Sequence, residues 1–154
     1  MSTARLSPRP ADPGPAATPT YRFSLPARAT TPRLARDVVR VVLNADHATL
    51  VDDARLCVSD AVTAVLSGTA SPHVHVDVFV DRDRVVLAVL DADRTRDGRR
   101  RPSSGEALRL PLVRRLSAAS GVTWEWDAEH RVMGRRVWFA LDGSTGTSRT
   151  DSIM

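Results

Sequence analysis

Hydrophobic and polar positions alternate along this chain in two distinct periods. Tyr21, Phe23 and Leu25 are separated by Arg22 and Ser24, a period of two that predicts a short strand over 21–25 with one buried face. Thr31-Pro32 then marks a helix start, with Thr31 able to cap and proline suited to the first helical position. Leu34, Val38, Val41 and Val42 follow at helical spacing to about Leu43. After a turn at Asn44–His47, a second helix is expected over 49–66, capped by Thr49 and carrying Asp52 and Asp53 in its first turn. Its apolar stripe is Leu50, Ala54, Cys57, Ala61, Val65 and Leu66.

Past Ser67-Gly68 the period returns to two. Val74, Val76, Val78 and Val80 alternate with His75, Asp77 and Phe79, the polar turn 81–84 follows, and 85–90 is an almost unbroken apolar strand. That pattern predicts a hairpin. Residues 91–104 form a long polar stretch with five arginines, Arg94, Arg96, Arg99, Arg100 and Arg101. A third helix is expected over 105–119 with Leu108, Leu112, Val113 and Leu116 buried, stopped by Gly121. Two last strands are expected over 122–126 and 135–141. The order β-α-α-β-β-loop-α-β-β predicts an α+β two-layer sandwich, with helices on one face of a mixed sheet. Residues 1–20, with five prolines, read as a disordered leader, 21–142 as the domain, and the Ser/Thr/Gly-rich 143–154 as a flexible tail.

Composition narrows the chemistry. The chain of 154 residues has 22 basic and 18 acidic side chains, and every basic one is arginine. Without lysine there is no phosphate-loop lysine and no Schiff-base mechanism. Asn44 is the only asparagine. The single cysteine, Cys57, excludes an internal disulfide and a cysteine-cluster zinc site; on the apolar face of its helix it reads as a small buried hydrophobe. His73 and His75 share a strand face, but no further ligands accompany them. Trp124 and Trp126 share a face and Trp138 lies on the next strand, a pattern of core or sheet-face packing, with a partner-docking aromatic patch as the alternative. No apolar run is long enough to span a membrane and no secretory signal is visible, so a cytoplasmic protein is expected.

Five strings carry a resemblance. FSLPA (23–27), LCVSDAVTAVL (56–66), VLD (89–91), SGEALRLPLVRRLSAASGV (104–122) and GRRVWFAL (134–141) occur in an order and spacing similar to the small anti-sigma factor and serine kinase proteins of the GHKL (histidine-kinase-type) ATPase superfamily. The resemblance implies the fold of that superfamily and a site for ATP and Mg²⁺. It assigns Asp60 to the family's general-base glutamate, Asp91 to the aspartate that accepts from the adenine amino group, Gly105 to a phosphate-cradling glycine at a helix start, and Arg99 and Arg100 to the lid over the nucleotide.

The chain departs from the family pattern at each of these places. Ala64 stands where the family's metal-ligating asparagine would, Asp93 replaces the glycine of the D-x-G motif, and Ala107 and Glu106 replace a second glycine and a common basic residue. Each lost charge-assisted contact costs about 1.5–3 kcal/mol, so the substitutions together weaken MgATP binding by roughly three to five decades. The resemblance therefore implies a regulatory module with no bound cofactor and little or no kinase activity. Its implied partners are a sigma factor or a STAS-type anti-anti-sigma protein, or a second copy in a homodimer, with neither membrane nor nucleic acid. Two alternatives stay open: a serine/threonine kinase acting on the anti-anti-sigma partner, with Asp60 as base and ATP and Mg²⁺ bound, and a binder of another anionic ligand through Arg94–Arg101.

Overall fold

The computed structural model of the chain describes residues 18–69, 71–92, 109–126, 129 and 132–143. In chain order these form strand β1 (Tyr21–Pro26), helix α1 (Thr31–Leu43), a single 3₁₀ turn (Ala48–Leu50), helix α2 (Val51–Leu66), strands β2 (His73–Val80) and β3 (Arg84–Ala92), helix α3 (Pro111–Leu116) and strands β4 (Ala119–Trp126) and β5 (Val132–Asp142). Residues 93–108 lie outside this description, and with them the arginines 94–101, Gly105 and the first part of the expected third helix.

The five strands form one sheet in the order β1-β2-β3-β5-β4, and every neighbouring pair is antiparallel. This corrects the expectation of a mixed sheet. The strands on either side of α3, β3 and β4, do run parallel, but β5 folds back from β4 and inserts between them, pairing antiparallel with both. The local β4–β5 pairing at Val122↔Val137 and the long-range β3–β5 pairing at Leu87↔Phe139 thus remove the one contact that would have made the sheet mixed.

Alternation along the strands separates two faces. Leu25, Val74, Val76, Val78, Val85, Leu87, Val89, Val137, Phe139 and Leu141 point to one side, where they pack with Ala35, Val39 and Leu43 of α1, with Cys57, Val58, Ala61, Val62 and Val65 of α2, and with Val113 of α3. The helices therefore cover one face, and the structure is a two-layer α+β sandwich. No helix among the described residues is long and apolar enough to cross a membrane.

The other face carries its own polar pairing. Asp77, 2% exposed, receives both Nε and Nη2 of Arg22 from the adjacent strand, at 2.7 and 2.8 Å. The guanidinium of Arg136 lies 5.9 Å from the centre of the Phe79 ring. The indole of Trp138 packs against Gly121, whose added Cβ would sit 2.6 Å from the indole Nε1. Gly121 is therefore a strand residue that admits the indole, rather than the helix stop its composition suggested. Trp138 opposes Gly121 on this face, while Trp124 opposes Arg135 on the helix-covered face, so these two tryptophans do not form one patch.

The helix ends differ from their sequence signals. Thr31 is buried, and its hydroxyl donates to the Pro26 carbonyl and accepts from the Arg28 amide, tying the β1–α1 loop to the helix instead of capping it. Thr49 falls inside the 3₁₀ turn, and α2 begins at Val51 without a side-chain cap. His47, also buried, donates from Nε2 to the Asp81 carbonyl at 2.9 Å and so fastens the α1–α2 turn to the β2–β3 hairpin.

Candidate functional site

Helix α2 carries Asp60 and Ala64, two of the positions that the sequence resemblance singles out. Asp60, Ala64 and Gly68 follow one another at intervals of four, so they lie along one flank of the helix and its C-terminal turn.

Asp60 is half-buried and already engaged. Its Oδ2 accepts the backbone amides of Leu112 and Val113 at 3.0 and 3.1 Å. Those are among the first amides of α3, left without intrahelical partners, and Pro111 at the helix start has no N–H to contribute. The carboxylate therefore serves as an N-cap supplied from another helix. Close by, the Cys57 thiol points to the Leu112 carbonyl at 3.8 Å. Burial, followed by the charges of Asp53 and Asp60, pushes this thiol up from 9.0 to about 12. Such a thiol stays protonated at neutral pH and is a poor nucleophile.

Ala64 is 9% exposed and offers a methyl group where a metal would need an oxygen. Among the described residues, no group of three His, Cys, Asp or Glu side chains converges to hold a metal ion. The α2 donor set does not fit Mg²⁺: its one carboxylate on this flank is committed to amides, and the next position has no donor.

Asp91 lies at the far end of β3, in phase with Val85, Leu87 and Val89 and thus on the helix-covered face. It is 5% exposed. The Thr69 hydroxyl donates to its Oδ1 at 2.5 Å and accepts the Ser71 amide at 3.0 Å, so Asp91 anchors the loop between α2 and β2. Across the ladder it faces Arg135, whose Nη2 reaches the Val65 carbonyl at the C-terminal end of α2 at 3.3 Å. Gly68 makes room for that guanidinium: an added Cβ would lie 2.4 Å from Nη2.

The structure thus brings Asp91, Thr69, Gly68 and Arg135 together at one end of α2 and holds Asp60 at α3, about two helical turns earlier. Asp93, Arg99, Arg100, Gly105, Glu106 and Ala107 fall outside the described residues. Sequence reasoning missed Thr69 and Arg135 as Asp91's surroundings. The signal available was faint: a Thr beside a Gly after the helix, and an Arg in the strand that pairs opposite Asp91.

Neither a protein-family model nor a curated protein matches this chain.

Proposed function

We propose that this protein is a regulatory protein-binding module that resembles the anti-sigma factors of the histidine-kinase-type ATPase superfamily and has lost its nucleotide chemistry. Its partner is a sigma factor or a STAS-type anti-anti-sigma protein. The observation that carries the loss is the state of α2: Asp60 spends its carboxylate on two amides of α3, and Ala64 has no oxygen for Mg²⁺. Phosphoryl transfer depends mainly on metal and positioning, and a carboxylate already accepting two backbone amides is not free to position an incoming hydroxyl.

The α+β sandwich, with one sheet face covered by helices and Asp91 anchored at the end of β3, agrees with the reading without being specific to it. The resemblance of the five strings, FSLPA to GRRVWFAL, supports the family reading, and the substitutions within them support the direction of change.

Calorimetric titration of MgATP and MgADP into the purified chain at physiological salt tests the nucleotide half of the reading. The expected result is no binding heat and no thermal shift at millimolar nucleotide. Micromolar binding, followed by phosphate transfer to a serine of a STAS-type protein, would establish the kinase alternative instead. The partner half is tested by direct titration with the sigma factor and STAS-type proteins encoded beside it; absence of binding to all of them would sink it.

A further inference from the structure

Helices α1 and α2 form an antiparallel pair, because the short connection over 44–50 brings the end of the first beside the start of the second. Their facing flanks meet along an outer groove. Arg36 of α1 donates from Nη1 to Ser59 Oγ of α2 at 2.7 Å, which fixes the level at which the helices face each other. Arg40, one turn after Arg36, and Arg55, one turn before Ser59, then stand at a common level nearer the connection. Packed helices lie about 8–10 Å apart, a span that two arginine side chains bridge. The groove therefore gathers three guanidinium groups and one hydroxyl from opposite walls.

These groups are donors in excess of acceptors. Arg22 and Arg84 are held by carboxylates, whereas Arg36, Arg40 and Arg55 form no ion pair among the described residues. The carboxylates nearest to them in sequence, Asp37 and Asp52, are exposed and pair with none of the three. Arg55 is half-buried, and its Nε is buried with no hydrogen-bond partner. Ser59 Oγ accepts from Arg36, and its own proton reaches no acceptor among the described residues. A buried donor without an acceptor is costly, and native structures hold few of them.

We infer that the α1–α2 groove is a binding site for a phosphate group, either inorganic phosphate or a phosphomonoester. A phosphate dianion brings acceptor oxygens alone, which is what a set of unmatched donors requires. Arginine presents its N–H groups as a planar fork that holds two phosphate oxygens at once, and Nε is part of that fork. Turning the Arg55 fork into the groove satisfies its Nε as it engages the anion. Arg36 and Arg40 supply positive charge from the facing helix, and the Ser59 hydroxyl keeps its bond from Arg36 while donating to a phosphate oxygen. A single carboxylate, with one charge and two oxygens, matches three guanidinium groups less well. The site lies on the flank of α2 away from Asp60 and Ala64, and it rests on neither half of the proposed function.

Calorimetric titration of the full chain with inorganic phosphate, and separately with phosphoserine, tests the site at about pH 8 and an ionic strength held constant with chloride. Saturable binding with a Kd of about 1 mM or tighter is expected. Arg55→Gln should weaken it about tenfold or more, and Arg82→Gln, in the exposed β2–β3 turn, should leave it unchanged. Arg40→Gln, at an exposed position, gives the same loss should circular dichroism show Arg55→Gln unfolded. Preference for phosphoserine would assign the group to a phosphorylated side chain, and preference for inorganic phosphate to the free ion. A heat from MgATP that disappears in Arg55→Gln would place its phosphates in this groove and leave the proposed loss of the α2 nucleotide site standing. Absence of saturable binding up to about 20 mM would overturn the inference. So would equal weakening by Arg82→Gln, which marks a diffuse attraction to a basic chain.

Discussion

A carboxylate and a thiol show how much one side chain's surroundings decide in this protein. Asp60 holds two amides of α3 that have no other acceptor in the helix. Asp60→Ala removes a charged acceptor and leaves both donors to water or to nothing. The expected cost is about 1.5–3 kcal/mol, read from urea unfolding, and Asp60→Asn should recover part of it because one oxygen remains. A purely catalytic aspartate would show no such loss. Cys57, 0% exposed, gives a complementary expectation. Its folded pKa is raised from 9.0 to about 12, so the unfolded chain releases the proton first as pH rises. The thiol's contribution is intact below pH 9 and is lost progressively between pH 9 and about 12. A thiol reagent at pH 8 should therefore label Cys57 only after denaturant is added. Rapid labelling of the native chain would show that α3 opens readily from α2.

Between elements, two glycines separate a costly close approach from a cheap one. At Gly121 an added Cβ meets the rigid indole of Trp138 at 2.6 Å, whereas at Gly68 it meets the far end of the flexible Arg135 side chain at 2.4 Å. Gly121→Ala is expected to cost about 1–3 kcal/mol and to shift tryptophan fluorescence as the indole lifts. Gly68→Ala should move only the Arg135 guanidinium away from the Val65 carbonyl, with a smaller change in the urea midpoint. Equal costs would mean that Trp138 has room to relax. The same contrast explains what the sequence revealed about the fold. The first strand, α1 and the β2–β3 hairpin follow periods of two and 3.6, and they appear within about two residues of where those periods place them. Helix α3 spans only Pro111–Leu116 of the described residues, and the expected 105–119 ran into what is now β4. Its cap comes from Asp60, 52 residues earlier, and the glycine read as its stop is a seat for a tryptophan 17 residues later. Neither is a local signal. The candidate site was legible in the same partial way: Asp60, Ala64 and Asp91 could be named from the strings, but not that Asp60 is spent on a helix end or that Asp91 is tied to Thr69.

For the molecule as a whole, the central strand is apolar on both faces while the described helices cover only one. Leu87 is fully buried against the helices, and Leu90, at 7% exposure, lies on the other face opposite His75 and Arg136. An antiparallel sheet with one face in water normally alternates apolar with polar, and β3 does not. Here the second face is shielded partly by long side chains from neighbouring strands, such as Trp138 and the Arg136–Phe79 pair. Such a lid can settle when a leucine beneath it is cut back, whereas the packed helix layer cannot. Leu87→Ala is therefore expected to cost about 2–5 kcal/mol, and Leu90→Ala distinctly less, because the size of the cavity left behind sets the difference. Both are read from the same urea titration, and the comparison holds residue type and strand constant. If the two cost the same, the second face is as firmly packed as the first, and the molecule has a third layer rather than a shield of side chains.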